Sequence, residues 1–141
     1  MIFDKIYSRC EQKQPIVVSR ENGNEHILQN KSASDVYQFL IDGDIVKGIA
    51  EERCDYIVEV ENANVHAAYV IELKGSDLNK AIDQIRKTIQ NYAAKLSGCD
   101  ILPRIIIHKV LTHDVNGKKY RDFKKQYPGM IVKTRKCIDV V

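Results

Sequence analysis

The chain has no tryptophan, three prolines and two methionines among 141 residues, and its net charge is only +3. No apolar run approaches the roughly 18 residues that a membrane-spanning helix needs, which argues against a transmembrane protein. No segment repeats, and neither a low-complexity tract nor a Gly/Ser-rich linker marks a domain boundary. The opening "MIFDKIYSRCEQKQ" has an acid at position 4 and no sustained apolar stretch, so a secretory signal is not expected and the cytoplasm is the predicted location. Cysteine is sparse in a more specific way. Cys10, Cys54, Cys99 and Cys137 are widely scattered, with no CxxC pair and no Cys/His group at zinc-ligand spacing. Reduced, mostly buried thiols are expected. His108, His113 and Asp114 straddle a strand end and a turn, and read as packing or surface residues rather than as a metal site.

What is present is the material of one soluble globular domain, 44% hydrophobic and 29% charged. A chain of this length buries about two thirds of the surface its unfolded form exposes, enough for one core. The small net charge conceals an uneven distribution. Residues 1–103 hold 12 Lys and Arg against 16 Asp and Glu, whereas residues 104–141 hold 10 against 3. A basic C-terminal third on an acidic body suits a polyanionic partner, and equally suits a solvated helix and strand.

"QPIVVSRENGNEHIL" reads as a strand entering a hairpin at a Gly/Asn turn. "SASDVYQFLIDG" reads as a short helix, with Ser32 or Ser34 as cap, Val36, Tyr37, Phe39 and Leu40 as its apolar face, and Gly43 as its stop. "CDYIVEVE" and "AAYVIELK" are strands whose short connector implies an antiparallel hairpin. The strongest helical signal follows: Leu78, Ala81, Ile82, Ile85, Ile89, Tyr92, Ala93 and Leu96 recur on one face, with Ser76 or Asp77 as cap and Gly98 as stop. "PRIIIHKVL" reads as a fully buried strand, completing a βαβ unit. Tyr120, Phe123 and Tyr127 then fall at helical spacing, and "IVKTRKCIDVV" reads as one last strand closing the sheet. The expected class is α/β, a mixed β-sheet with helices on both faces.

The chemistry concentrates where the second strand of the hairpin ends. In a strand, Glu72 and Lys74 share one face while Ile71 and Leu73 take the other. Asp55, at the start of the paired strand, comes near them across the ladder. Two carboxylates at a strand end form a hard oxygen site for Mg²⁺ or Mn²⁺, to which the Leu73 carbonyl adds a further ligand. A lysine beside such a metal can orient a water for in-line attack on a phosphodiester.

The order of Asp55, a hairpin turn, "VIELKG" and an amphipathic helix resembles the core of the PD-(D/E)xK nucleases, over about residues 50–110. That superfamily includes restriction endonucleases, Holliday-junction resolvases and repair nucleases. The resemblance implies a restriction endonuclease-like mixed sheet flanked by helices in a single domain, with a βαβ crossover after the E-x-K strand. It also implies Mg²⁺-dependent hydrolysis of DNA, with Asp55 and Glu72 as metal ligands and Lys74 acting on the water. Cys54 stands where the family's name places proline. Relatives often add an acid from the first helix, for which Asp35, Glu51 and Glu52 compete, with Glu51 nearest in sequence to Asp55. Some place a glutamine on the crossover helix with tyrosine four residues on; Gln84 matches the glutamine, but Thr88 follows it.

In the basic region, about residues 104–136, Lys118, Lys119, Arg121, Lys124 and Lys125 are candidates for phosphate contact. Cutting both strands of a duplex commonly calls for two active sites, which leaves a homodimer open as one arrangement. Two other functions use the same residues. One is a non-catalytic immunity or regulatory module on this fold, binding a protein partner; the other is a nucleic-acid-binding protein that does not cleave.

Overall fold

The computed structural model describes residues 1–48, 53–73 and 75–141. Beyond a short 3₁₀ turn at Lys5–Tyr7, the chain first forms β1 (Ile16–Glu21) and β2 (Asn24–Gln29), an antiparallel hairpin. Asn22 and Gly23 supply its two-residue turn, with φ of 54° and 76°. Two positive φ values suit the right-handed twist of the strands, and Asn-Gly is the pair that adopts them at least cost.

The segment expected to be a helix around Val36 is instead β3 (Asp35–Leu40). Spacings of one, three and four residues fit either periodicity over so short a span. Valine, tyrosine and phenylalanine tip the choice toward a pleated surface. Gln38 is buried, and its amide donates to the Val18 carbonyl and to Ser19 Oγ at 2.9 Å each, so the polar residue inside the strand is satisfied. Ser32 and Ser34 do not cap a helix; their hydroxyls bond each other at 2.6 Å.

The expected hairpin is present as β4 (Tyr56–Glu61) and β5 (His66–Leu73), paired from Tyr56↔Ile71 to Glu61↔His66. Helix α1 (Leu78–Asn91) follows, with Asp77 accepting the Lys80 N–H as its N-cap. The expected continuous helix is interrupted at Tyr92, and α2 (Ala93–Leu96) forms a separate turn. Strand β6 (Asp100–Ile107) lies parallel to β5, completing the βαβ unit. The short α3 (Thr112–Val115) and then α4 (Lys118–Gln126) lead to β7 (Ile131–Thr134) and β8 (Lys136–Val140).

The last strand is therefore two strands in two sheets. Arg135, at φ 67°, turns the chain between them, donating its N–H to Ile107 and accepting from the Glu25 N–H. One sheet has the order β3-β4-β5-β6-β7 and the other β1-β2-β8, with β8 parallel to β2. The described residues thus form a mixed α/β fold. On one face of the larger sheet, Ile57, Ala68, Val70 and Ile105 pack with Ile82, Ile85 and Ile89 of α1 and Phe123 of α4. On the opposite face, Val58, Val60, Tyr69 and Ile71 meet Val17 and Leu28 of the smaller sheet. Helices on both faces were expected; among the described residues the second face carries a sheet instead. Arg104 on β6 ties the two sheets through Asp139 on β8, with Nε to Oδ2 at 2.8 Å and Nη2 to Oδ1 at 3.1 Å. No helix among the described residues is long and apolar enough to cross a membrane.

Candidate active site at the end of β5

The register of β4 on β5 decides what meets at the end of the hairpin. The Asp55 N–H donates to the Ile71 carbonyl at 3.1 Å, and Asp55 Oδ2 accepts the Leu73 N–H at 2.7 Å. The carboxylate is thus fixed across the ladder at residue 73, as the strand pairing predicted. An ionised acceptor on a buried amide makes a short, charge-assisted bond, worth about 1.5–3 kcal/mol.

Glu72 is wholly buried, and by alternation from Ala68 and Val70 it projects on the α1 side. Ile71 and Leu73 take the opposite face, against the smaller sheet. The Cys54 thiol reports the local field. Burial first, then Glu72, with Asp55 adding, hold it well above the ordinary thiol range.

Helix α1 is anchored to this corner through Thr88, whose hydroxyl accepts the Cys54 N–H at 2.7 Å and donates to the Gln84 carbonyl at 2.8 Å. The residue that breaks the glutamine–tyrosine spacing therefore fastens the helix to the start of β4. Gln84 lies one turn nearer the beginning of α1, and so nearer the end of β5 from which that helix starts. Its side chain is buried and its Oε1 has no hydrogen-bond donor among the described residues. Such an atom costs free energy unless a ligand or water meets it.

The other predicted participants divide. Lys74 and Glu51, with Glu52, lie outside the described residues. Asp35 sits at the start of β3, bonded to Gln12 and paired with Lys13. The Leu73 carbonyl accepts the Asn22 side-chain amide at 3.2 Å, leaving one lone pair for another partner. The Asn22 carbonyl in turn lies 2.7 Å from His108 Nε2, and since a carbonyl only accepts, that nitrogen carries the proton. Sequence reasoning missed Asn22, Thr88 and His108 here. The Asn-Gly turn was visible as a turn, but nothing local to it showed that the β1–β2 hairpin reaches over the end of β5.

The basic helix stands beside α1. Lys119 Nζ contacts both oxygens of Asp83 at 2.8 Å, and the Arg86 guanidinium lies 5.5 Å from the centre of the Phe123 ring. Lys118 pairs with Asp122 one turn on, and Lys124 donates to the Met130 carbonyl at 2.7 Å. Arg121 and Lys125 are exposed. Of the five predicted phosphate contacts, three are engaged within the protein and two project outward. Tyr127 packs edge-on against Phe123, with ring centres 5.1 Å apart, which is core packing.

Comparison with protein-family models, with curated proteins and with solved structures finds no match to this chain.

Proposed function

We propose that the chain is a metal-dependent phosphodiesterase of the restriction endonuclease-like kind, acting on DNA. The observation that carries this reading is the 2.7 Å bond from the Leu73 N–H to Asp55, which brings a second carboxylate to the strand end occupied by Glu72. The order of parts agrees with the PD-(D/E)xK resemblance: Asp55 opens β4, Glu72 ends β5, and α1 crosses to the parallel β6.

The donor set fits a hard cation. Asp55 and Glu72 offer carboxylate oxygens, the Leu73 carbonyl keeps a second lone pair, and the Gln84 Oε1 has no donor among the described residues, all of them oxygen. Asp55 and Glu72 would hold Mg²⁺ or Mn²⁺ at this end. A bound cation of this type polarises a phosphoryl oxygen and makes its water more acidic than bulk. Asp55 keeps its orientation through the Leu73 N–H while offering its second oxygen. Thr88 fixes the distance of α1, and with it Gln84, from the same corner. Lys74 follows Glu72 by two residues, which suits a cation that orients the attacking water. Arg121 and Lys125 are the exposed charges on α4 suited to backbone phosphates.

The test is cleavage of plasmid, linear, branched and single-stranded DNA with Mg²⁺ or Mn²⁺, beside EDTA and a folded Lys74→Ala variant. Cutting that requires the metal and vanishes in the variant supports the reading; folded protein that cuts nothing overturns it. One observation favours a second reading, a non-catalytic module on this framework. Glu72 is completely enclosed and Asn22 covers the Leu73 carbonyl. Such a module would fold normally, leave every substrate intact and engage a protein partner.

A further inference from the structure

A different set of donors converges at the opposite end of β5. The register Glu59↔Ala68 and Glu61↔His66 puts Glu59 and His66 on one face, diagonal to each other, and continuing β5–β6 pairing one step back from Ala67↔Asp100 sets Cys99 beside His66. His66 Nε2 lies 2.6 Å from Glu59 Oε2, and Cys99 Sγ lies 3.4 Å from the same nitrogen. One donor atom from each residue falls within 4.8 Å of the others. Glu59 is completely buried, and its other oxygen is held by the Ile2 N–H at 2.8 Å, so Oε2 is aimed at the imidazole and the thiol. His66 and Cys99 are half-buried, which leaves the outer side of the cluster open to water.

We propose that Glu59, His66 and Cys99 form a Zn²⁺ site with its fourth position open to solvent, pinning the β4–β5 hairpin to the start of β6. Carboxylate, imidazole and thiolate together are the ligand types of a borderline-soft ion rather than of Mg²⁺ or Ca²⁺. Tetrahedral Zn²⁺ separates N and O donors by about 3.4 Å and S and N donors by about 3.6 Å, given the usual bond lengths. The sulfur–nitrogen spacing already matches, and the glutamate–histidine contact needs to open by under about 1 Å. Binding requires the Cys99 thiol to release its proton to solvent. Burial, and then Glu59, push that thiol up. The Met1 ammonium, 3.7 Å from Glu59 Oε2, competes for that oxygen. Met1 is exposed and can turn outward.

The other mixed cluster, His26, Cys137 and Asp139, is unsuited to an ion. Arg104 already occupies both Asp139 oxygens with a fixed positive charge. Burial, aided by Asp139, lifts the Cys137 thiol to about 11.

The experiment uses the full chain, stripped with a chelator and dialysed. Zn²⁺ is titrated against a chromophoric competitor, and Co²⁺ is added as a spectroscopic substitute. We expect one Zn²⁺ per chain, a higher melting temperature with Zn²⁺, and a thiolate-to-Co²⁺ charge-transfer band. Cys99→Ser should abolish the band, remove the thermal shift and weaken Zn²⁺ binding at least about tenfold. Because Cys99 is half-buried, this variant should fold, and His66→Asn provides a second with the same expected losses. Cys137→Ser should leave binding unchanged. Absence of Zn²⁺ binding overturns the proposal, as does binding that survives Cys99→Ser or is lost in Cys137→Ser.

Discussion

Replacing Asp139 by asparagine removes one charge from the polar tie between the two sheets and leaves its shape. In the wild type, Asp139 receives two hydrogen bonds from Arg104 and lies 2.7 Å from His26 Nε2. Burial pushes the carboxyl up, but the bonds from His26 and Arg104 outweigh it and hold the group at about 2, against 3.8 for an unperturbed aspartate. The folded value lies below the unfolded one, so the stabilisation is complete above about pH 4 and disappears as the pH falls through about 2. Nearly two pH units correspond to about 2 kcal/mol. The variant also leaves the Arg104 guanidinium buried with two neutral carbonyl acceptors, at Pro103 and Gly129, and no counter-charge. Breaking a buried pair from one side costs about 3–5 kcal/mol. Urea unfolding at pH 7 should therefore show Asp139→Asn less stable by about 3 kcal/mol. The gap should narrow by about 2 kcal/mol as both proteins are taken from pH 5 to pH 2. The difference between the two proteins is the decisive quantity, because the other carboxylates whose pKa is also lowered, Glu25, Asp35, Asp44 and Asp122, contribute equally to both. A gap that stays constant over that range would refute the assignment of the low pKa to this network.

At the candidate active site, Asp55→Asn keeps an acceptor for the Leu73 N–H and should change unfolding free energy by less than about 1 kcal/mol while eliminating metal-dependent cleavage. Asp55→Ala leaves that buried N–H unmet and should cost about 1–3 kcal/mol by urea titration. Thr88→Val removes the acceptor of the buried Cys54 N–H with little change of shape; a similar loss of about 1–3 kcal/mol is expected, and a neutral result would show that the helix anchor lies elsewhere. Arg121→Ala with Lys125→Ala should lower the salt dependence of DNA binding by about two units of slope, read from fluorescence anisotropy at several salt concentrations, whereas Lys119→Ala should act mainly through its lost contact with Asp83.

The middle of the chain was legible because its signals agree. The β4–β5 hairpin, the Asp77-capped helix and the β-branched run of β6 each have one periodicity and clear punctuation, and each formed as the expected type of element, although the helix breaks at Tyr92 and β6 starts at Asp100 and ends at Ile107 rather than running from Pro103 to Leu111. So did the approach of Asp55 to the end of β5, since antiparallel pairing leaves few registers that bury both apolar faces. The misreadings share a cause. At Val36 to Leu40 the segment is too short to separate the two periods, and the choice was made by a sheet contributed from elsewhere in the chain. At Arg135 the break is a single non-glycine residue with positive φ, which carries no strong residue signature. The expectation of helices on both faces failed because β1 and β2, though recognised as strands, gave no indication of which surface they would cover. The cluster of Glu59, His66 and Cys99 was invisible to spacing rules, because its ligands come from three strands or strand ends and meet only through register.

These two groups of donors follow from one feature of β5. His66, Ala68, Val70 and Glu72 share its α1 face, and the two middle positions are apolar and packed under Ile82, Ile85 and Ile89. A charged side chain halfway along that face would have no room for a counter-ion or water, so polar chemistry is confined to the ends, about 20 Å apart by strand rise. The ends differ in what their neighbours supply. The C-terminal end meets the Asp55 carboxylate at the Leu73 backbone, both oxygen donors, while the N-terminal end meets Glu59 and Cys99 around an imidazole. Hard and borderline cations are sorted by such differences more than by affinity for any single ligand. On the two proposals made above, the apolar middle of β5 would keep a hard-cation site and a Zn²⁺ site at opposite ends of one strand.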